Sequence, residues 1–206
     1  YIKRMSEELR LHPRLVELLA MRGVTGEEEI RAFLVPDVSR LGDPFTMKGM
    51  KEAADRVKRA LDEGEKIVVY GDTVVVFGDY DADGVCASAV LSLAFKSLGA
   101  DVVVHIPDRM KDGYGLSVES IERIIEEQGP DLIITCDCGI SGVKEVEHCL
   151  DLGVDIIVTD HHEPGPVIPE CIVVDPKQPG DDYADKYLCG AGVALKLVQA
   201  ITGSEL

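Results

Sequence analysis

Hydrophobic residues change their spacing about a third of the way along the chain. Before that point they recur every three or four positions, which is the spacing of one face of a helix. Thr25 and Glu28 match a capping box at the start of "EEEIRAFL", and Gly64 follows a helical stripe that begins at Met50. The pattern therefore predicts a helical N-terminal segment, to which we assign residues 1–46, and one further helix.

Beyond that helix, short apolar runs alternate with amphipathic helices. Strands that lack polar alternation and are separated by helices indicate a parallel sheet with both faces covered. We therefore expect an α/β domain over residues 47–206, built on an open, mainly parallel sheet with helices on both faces. The predicted strands are, in chain order, "TVVVF", "DVVVHI", "DLIIT", "DIIVT" and "CIVVD".

Acidic residues and histidines follow four of these strands. In an open parallel sheet the carboxyl ends of the strands share one edge, and ligands bind there. We therefore expect these side chains to meet in one crevice. They are Asp79, Asp81 and Asp83 after "VVVF", Asp137 after "LIIT", Asp160, His161 and His162 after "IIVT", and Asp175 after "IVV".

Several carboxylates in one crevice must either bind cations or take up protons. The oxygen and imidazole donors of this set suit Mn²⁺ or Mg²⁺, and a pair of such ions about 3.5–4 Å apart is a common arrangement for phosphoester hydrolysis. A calcium loop is excluded, because counting from Asp79 puts Val90 where that loop requires glutamate. Taken singly, each of these residues has a structural alternative, as a turn, a helix cap or a core histidine.

Composition narrows the function classes. The chain lacks a Walker A loop, a GxGxxG motif and a GxSxG motif, which disfavours nucleotide kinases, dinucleotide enzymes and α/β-hydrolases. A net charge of −17 argues against a broad nucleic-acid-binding surface, although bound cations can reverse the local field. No apolar run approaches the roughly 20 residues of a membrane span, and six cysteines without a CxxC pair predict reduced thiols in the cytoplasm.

Four phrases carry a family resemblance: "VVVFGDYDADGVCASAVL", "LIITCDCGISG", "IIVTDHHEPG" and "LCGAGVALKL". In this order they resemble the motifs of the DHH phosphoesterases. "IPDRMKDGYGLS" and the "EPG" after Asp160-His161-His162 are similar to the single-strand-specific exonuclease branch of that family. The resemblance implies 5′-to-3′ hydrolysis of single-stranded DNA with Mn²⁺ or Mg²⁺ as the cofactor. It also implies a role in DNA repair and recombination, with repair or replication proteins as partners.

The resemblance also implies roles for individual residues. Metal ligands would be Asp81, Asp83, Asp137 and His161, with Asp79 and Asp160 as further ligands or as residues that orient them. His162 would assist near the phosphate, and Arg109 would hold a DNA phosphate. Gly190 and Gly192 would bring backbone N–H groups to a phosphate at the start of a helix, with close helix packing as an equal alternative.

The chain departs from the family pattern in two respects. Members of the family continue with a further aspartate, a second domain and an oligonucleotide-binding fold, so we expect this chain to be a piece of the catalytic core. The phrase "VVYGD" is also nearly repeated as "VVFGD" seven residues later. The first copy lies at the expected distance from Gly64, and the second has the expected continuation. The extra residues form either a short strand after a turn at Gly71-Asp72 or a loop, and we assign the chemistry to the second copy rather than to Asp72.

Two other functions remain open from the sequence. One is a phosphodiesterase for short oligonucleotides or cyclic dinucleotides, which uses the same chemistry on small substrates. The other is a non-catalytic subunit of a replication complex, which the intact candidate ligands disfavour.

Overall fold

The computed structural model describes residues 1–35, 41–71, 75–76, 79–106 and 115–203, with the backbone alone at 75–76 and 79–80. The chain forms two compact units, Tyr1–Leu41 and a larger one that begins at Gly42. The first unit contains helices α1 (Ile2–Leu9), α2 (Pro13–Met21) and α3 (Glu27–Leu34), which confirms the helical N-terminal segment. The division into functional parts 1–46 and 47–206 stays a prediction.

The cap of α3 differs from the predicted one. Helix α3 begins at Glu27, so Gly26 is its N-cap and Glu29, rather than Glu28, is the third helical residue. The Glu29 carboxylate accepts hydrogen bonds from the N–H groups of Gly26 (2.9 Å) and Thr25 (3.1 Å). The predicted pairing was wrong by one residue because the helix starts one residue later than the Thr25 cap requires.

The larger unit alternates helices and strands. Its elements are a 3₁₀ turn (Pro44–Thr46), α4 (Met50–Glu63), β1 (Ile67–Gly71), β2 (Val75–Val76), β3 (Asp79–Tyr80), α5 (Ala82–Ser97), β4 (Val102–His105), α6 (Val118–Gln128), β5 (Leu132–Cys136), α7 (Val143–Asp151), β6 (Asp155–Thr159), β7 (Ile172–Val174) and α8 (Gly190–Thr202). Five strands form a parallel sheet in the order β4-β1-β5-β6-β7, which confirms the predicted fold class.

Helices cover both faces of this sheet. Val69 and Ile134 point into a core shared with α4, α5 and α8, whereas Val68 and Ile133 point into a second core with α6 and α7. Because successive side chains of the central strands enter opposite cores, these strands are mainly apolar and lack polar alternation. Among the described residues, no helix is both long enough and apolar enough to cross a membrane.

The sheet contains the first copy of the repeated phrase, not the second. Val68 pairs with Val103 on one side and with Ile133 on the other, so β1 is complete without "TVVVF". The predicted strand "TVVVF" was therefore wrong: the first copy follows α4 closely enough to enter the sheet directly. Within the second copy, β2 pairs with β3 in a separate antiparallel ladder, while Asp72 lies outside the described residues.

The strand order places the switch point of the sheet between β1 and β5. One connection from β1 leads to β4 at one edge, and the later strands continue from β5 in the other direction. Ligands of open parallel sheets bind at the carboxyl ends of the strands on either side of such a point. Helix α5 begins near this position, so the fold directs the residues that precede α5 and follow β5 to the predicted crevice.

Candidate metal centre

Three of the four predicted ligands meet at this edge of the sheet. Asp83 lies in the first turn of α5, Asp137 directly follows β5, and His161 follows β6. His161 Nε2 lies 3.0 Å from Asp137 Oδ1 and 3.5 Å from Asp83 Oδ2. Residues far apart in sequence therefore present two carboxylates and one imidazole to a common point.

Asp137 is the most constrained member of this group. It is 4% exposed and has a left-handed backbone, with φ 63°, immediately after the last residue of β5. Its Oδ1 accepts no hydrogen bond of normal geometry from any described residue. Burial, with the charges of Asp83 and Asp81, raises the pKa of the Asp137 carboxyl to about 7. A buried oxygen without a donor, surrounded by negative charge, fits a bound cation.

Asp81 and Asp83 are fixed by backbone N–H groups. Asp81 is the N-cap of α5, and its Oδ1 accepts a hydrogen bond from the N–H of Asp83 (2.8 Å). The Asp83 carboxylate accepts hydrogen bonds from the N–H groups of Gly190 and Ala191, both 2.7 Å, at the start of α8. The Asp83 side chain is therefore oriented by the α8 N-terminus, while Asp81 lies near enough for its charge to act on Asp137.

The two glycines of α8 serve close packing in this structure. A Cβ on Gly190 would lie 2.6 Å from Asp137 Oδ1, and one on Gly192 would lie 2.6 Å from a methyl group of Leu188. The Gly190 N–H, which we expected near a phosphate, donates to Asp83 instead. The packing alternative thus describes both positions here, and a phosphate contact at Gly190 and Gly192 stays a prediction.

Asp160 orients the two histidines that follow it. The Asp160 side chain is 1% exposed and accepts hydrogen bonds from the N–H groups of Ile140 (2.9 Å), His161 (2.7 Å) and His162 (3.2 Å). His162 Nδ1 lies 2.7 Å from the same carboxylate. Although burial opposes ionisation, the hydrogen bonds from His162 and Ile140 hold the pKa of Asp160 below its ordinary value. This geometry favours the orienting role of Asp160 over the role of a ligand.

The two histidines differ in charge. The hydrogen bond to Asp160 raises the pKa of His162 to about 9, so its imidazole is protonated at neutral pH. Burial and the positive charge of His162 lower the pKa of His161, which leaves a neutral imidazole able to bind a cation. Ligand atoms of Asp137, His161 and His162 all lie within 4.8 Å of one another, so the charged imidazole of His162 stands directly beside the residues that could hold a metal.

A further carboxylate joins the site from β7. Asp175 is fully buried, its Oδ1 accepts a hydrogen bond from the N–H of Lys177 (2.7 Å), and Oδ2 accepts none from the described residues. Burial raises the pKa of Asp175 to about 6. The sequence places Asp175 among the strand-end side chains expected in the crevice, but it assigns no role to it. The Asp79 side chain and Arg109 lie outside the described residues, so their roles stay predictions.

A cleft opens beside the acids and imidazoles. It has a volume of about 310 Å³ and lies between the end of β5 and the start of α7. Its lining includes Asp137, Asp160 and His162, together with Gly139, Gly142 and Glu145. The cleft therefore offers room for a small polar group, such as a phosphate, in direct reach of a protonated imidazole.

Comparison with known proteins places this site in a family. Residues 73–206 match the family model described as the DHH family, N-terminal domain. The chain is 46% identical over 203 residues to the single-stranded-DNA-specific exonuclease RecJ of Bacillus subtilis, covering 98% of this chain and 25% of that protein. The identity to RecJ of Escherichia coli is 36% over 195 residues, covering 93% and 31%.

Solved structures agree with this placement. A crystal structure of exonuclease RecJ bound to manganese matches with a TM-score of 0.67 at 40% identity, covering 76% of this chain and 38% of that one. RecJ from Thermus thermophilus in complex with Mn²⁺ matches with a TM-score of 0.72 at 33% identity, covering 98% and 27%. The chain spans less than a third of the length of both curated relatives, 25% and 31%. Because the family model matches most of the chain, and because the fold agrees, the chain belongs to the DHH family.

Proposed function

We propose that this chain carries the catalytic centre of a metal-dependent phosphodiesterase that hydrolyses single-stranded DNA stepwise from its 5′ end. The observation that carries the proposal is the meeting of Asp83, Asp137 and His161 at the switch point, with a buried Asp137 oxygen that lacks a donor among the described residues. Relatives named as single-stranded-DNA-specific exonucleases, and similar structures with Mn²⁺ or Mg²⁺, support the substrate and the cofactor.

The residues of the site suit a divalent cation. Asp83, Asp137 and His161 would hold Mn²⁺ or Mg²⁺, and the nearby Asp81 would complete an oxygen-rich set for one ion or a pair. When bound, such ions activate a water molecule and stabilise the negative charge that develops on the phosphoryl oxygens. Asp83 is held in place for this role by the N–H groups of Gly190 and Ala191.

His162 supplies a proton donor to the same cleft. Its pKa of about 9 keeps the imidazole protonated at neutral pH, and Asp160 fixes the ring through Nδ1. A positively charged imidazole at the edge of the cleft can donate a hydrogen bond to a phosphate oxygen or a proton to the leaving oxygen. Asp160 therefore acts indirectly, by orienting His162 and by holding its charge.

The wider setting of the proposal is DNA repair and recombination in the cytoplasm, with repair or replication proteins as further partners. None of the six cysteines forms a disulfide, which is consistent with a reducing compartment. A phosphodiesterase for small substrates and a non-catalytic subunit are the competing functions, and one experiment separates them from the proposal.

The experiment compares hydrolysis of bis(p-nitrophenyl) phosphate, 5′-labelled single-stranded DNA, duplex DNA and dinucleotides with Mn²⁺. We expect metal-dependent hydrolysis with a preference for single-stranded DNA. Asp81→Ala and His161→Ala should lose this hydrolysis. Both variants should keep the fold, because the two residues lie at the carboxyl ends of the strands and not in the core. His148→Ala is the matched control, because His148 lies on α7 and interacts with Glu122 at 3.0 Å. Hydrolysis at the parental rate by His161→Ala would contradict the site. A preference for dinucleotides would favour the small-substrate function, and absence of Mn²⁺ binding would favour the non-catalytic one.

A further inference from the structure

A second cleft lies beside the metal centre, on the side of β7. Its volume is about 360 Å³, and residues that follow β6, follow β7 and precede α8 line it. Glu163 and Lys177 contribute from the first two segments, and Lys186 and Tyr187 from the third. Glu163 directly follows His162, so the cleft adjoins the catalytic residues through the chain itself.

Tyr187 presents an unusually exposed aromatic ring to this cleft. The residue is 92% exposed, although tyrosine rings are ordinarily at least partly covered. Its backbone is nevertheless held, because its N–H donates to Asp185 Oδ1 (3.0 Å), and the Gly190 N–H three residues later donates to Asp83. The backbone of this segment is therefore anchored near the metal centre, and the Tyr187 ring offers an open face to a ligand.

Two ammonium groups lie in the same cleft. Lys177 Nζ is 3.4 Å from a carboxylate oxygen of Glu163, whose side chain is 83% exposed. Lys186 Nζ donates to the backbone oxygen of Asp181 (2.8 Å) and to Asp181 Oδ1 (2.7 Å). An ammonium group has three donors, so Lys186 keeps one for a further acceptor. The loose and exposed pairing of Lys177 with Glu163 is one that a phosphate group can replace.

We propose that this cleft binds the nucleotide next to the one being cleaved, with its base stacked on the ring of Tyr187 and its phosphate on Lys177 and Lys186. The inference rests on the proposed function, because it assigns a subsite to the same substrate. An aromatic platform beside cationic side chains is the arrangement by which proteins bind single strands without sequence preference. A base within a duplex cannot stack on such a platform, so the cleft also contributes to the preference for unpaired DNA.

The chain contains no tryptophan, which permits a direct test. In Tyr187→Trp the introduced indole is the sole tryptophan and reports on its own surroundings. We expect its fluorescence to be quenched in a saturable way by oligothymidylate, with a midpoint that rises with salt. Leu93→Trp is the matched reporter, because Leu93 is 68% exposed on α5 and lies outside the residues of the cleft. Its fluorescence should not change.

Affinity measurements complete the test. Anisotropy of a labelled oligothymidylate, without divalent metal so that no cleavage occurs, should show at least about fivefold weaker binding by Tyr187→Ala and nearly unchanged binding by Tyr187→Phe. Glu163→Gln should bind more tightly, because it frees Lys177.

Two results would overturn the inference. If the oligonucleotide binds, as anisotropy shows, but neither tryptophan reporter responds and Tyr187→Ala binds as tightly as the parent, the subsite is wrong while the proposed function stands. If the oligonucleotide does not bind the chain at all, the subsite is wrong, and hydrolysis of 5′-labelled single-stranded DNA with Mn²⁺ tests the proposed function separately. Metal-dependent hydrolysis of bis(p-nitrophenyl) phosphate then still reports separately on the metal centre.

Discussion

Replacing Asp137 by asparagine should stabilise the metal-free protein at alkaline pH, although it removes a ligand. Asp137 is buried among carboxylates, and its pKa is raised from 3.8 to about 7. The folded state therefore binds this proton more tightly than the unfolded state between about pH 4 and pH 7. It follows that the free energy of unfolding falls as the pH rises through this window. Asparagine has no charge and tolerates the left-handed backbone, with φ 63°, at this position.

The size of the effect follows from the pKa. A difference of one pKa unit corresponds to about 1.4 kcal/mol, so ionising Asp137 at pH 8 costs the folded state up to about 4 kcal/mol. Because Asp83 and Asp81 share in this repulsion, we expect Asp137→Asn to gain about 2–4 kcal/mol at pH 8 and less than about 2 kcal/mol at pH 5. Most substitutions at buried positions destabilise, so a gain would be informative.

Urea denaturation with a chelator, followed by circular dichroism at pH 5 and pH 8, measures this difference. Asp151→Asn is the control, because it removes an exposed carboxylate at the end of α7 and should change stability by less than about 0.5 kcal/mol. With Mn²⁺ in excess the order should reverse, since only the parent gains stability from binding. A destabilised Asp137→Asn, or a gain equal at both pH values, would refute the reasoning.

Three further predictions follow from the site. Deletion of residues 72–78 joins the first copy of the repeat directly to the acidic motif. It should leave both the fold and the hydrolysis of bis(p-nitrophenyl) phosphate intact, because β1 is already paired on both sides. A deletion variant that is unfolded by circular dichroism would contradict this prediction. Asp160→Asn removes the negative charge whose hydrogen bond to His162 raises the pKa of that imidazole to about 9. The alkaline limb of the pH–rate profile should therefore move toward neutral pH, and an unmoved limb would show that another group is responsible. Gly190→Ala places a Cβ 2.6 Å from Asp137 Oδ1. This variant should bind Mn²⁺ at least about tenfold more weakly, as measured by calorimetry. An affinity equal to that of the parent would show that α8 can move aside.

The sequence was sufficient for four of the five sheet strands and for the edge at which the acids and imidazoles lie. The run "DLIIT" supplies the apolar residues Leu132, Ile133 and Ile134 of β5. Asp137 and His161, which follow β5 and β6, meet because parallel strands end at one edge. The choice between "VVYGD" and "VVFGD" was not decided by pattern, since both copies fit a strand. The pairing of strands decided it, because the first copy, which follows α4, forms β1 and pairs with β4 and β5.

Other features depend on tertiary contacts that spacing does not encode. The bond from Gly190 to Asp83 joins residues 107 positions apart, and nothing local marks its donor. Asp175 looks like any strand-end acid until its burial is known. Tyr187 lies between a lysine and a leucine without any motif, and its exposure became evident only from the folded loop.

Binding of Mn²⁺ measured by the loss of the free-ion signal in electron paramagnetic resonance tests the central claim most directly. We predict saturable binding by the chain at neutral pH, and loss of that binding in His161→Ala while His148→Ala binds as the parent does. Absence of binding, or equal binding by His161→Ala, would contradict the assignment of Asp83, Asp137 and His161 as the metal centre.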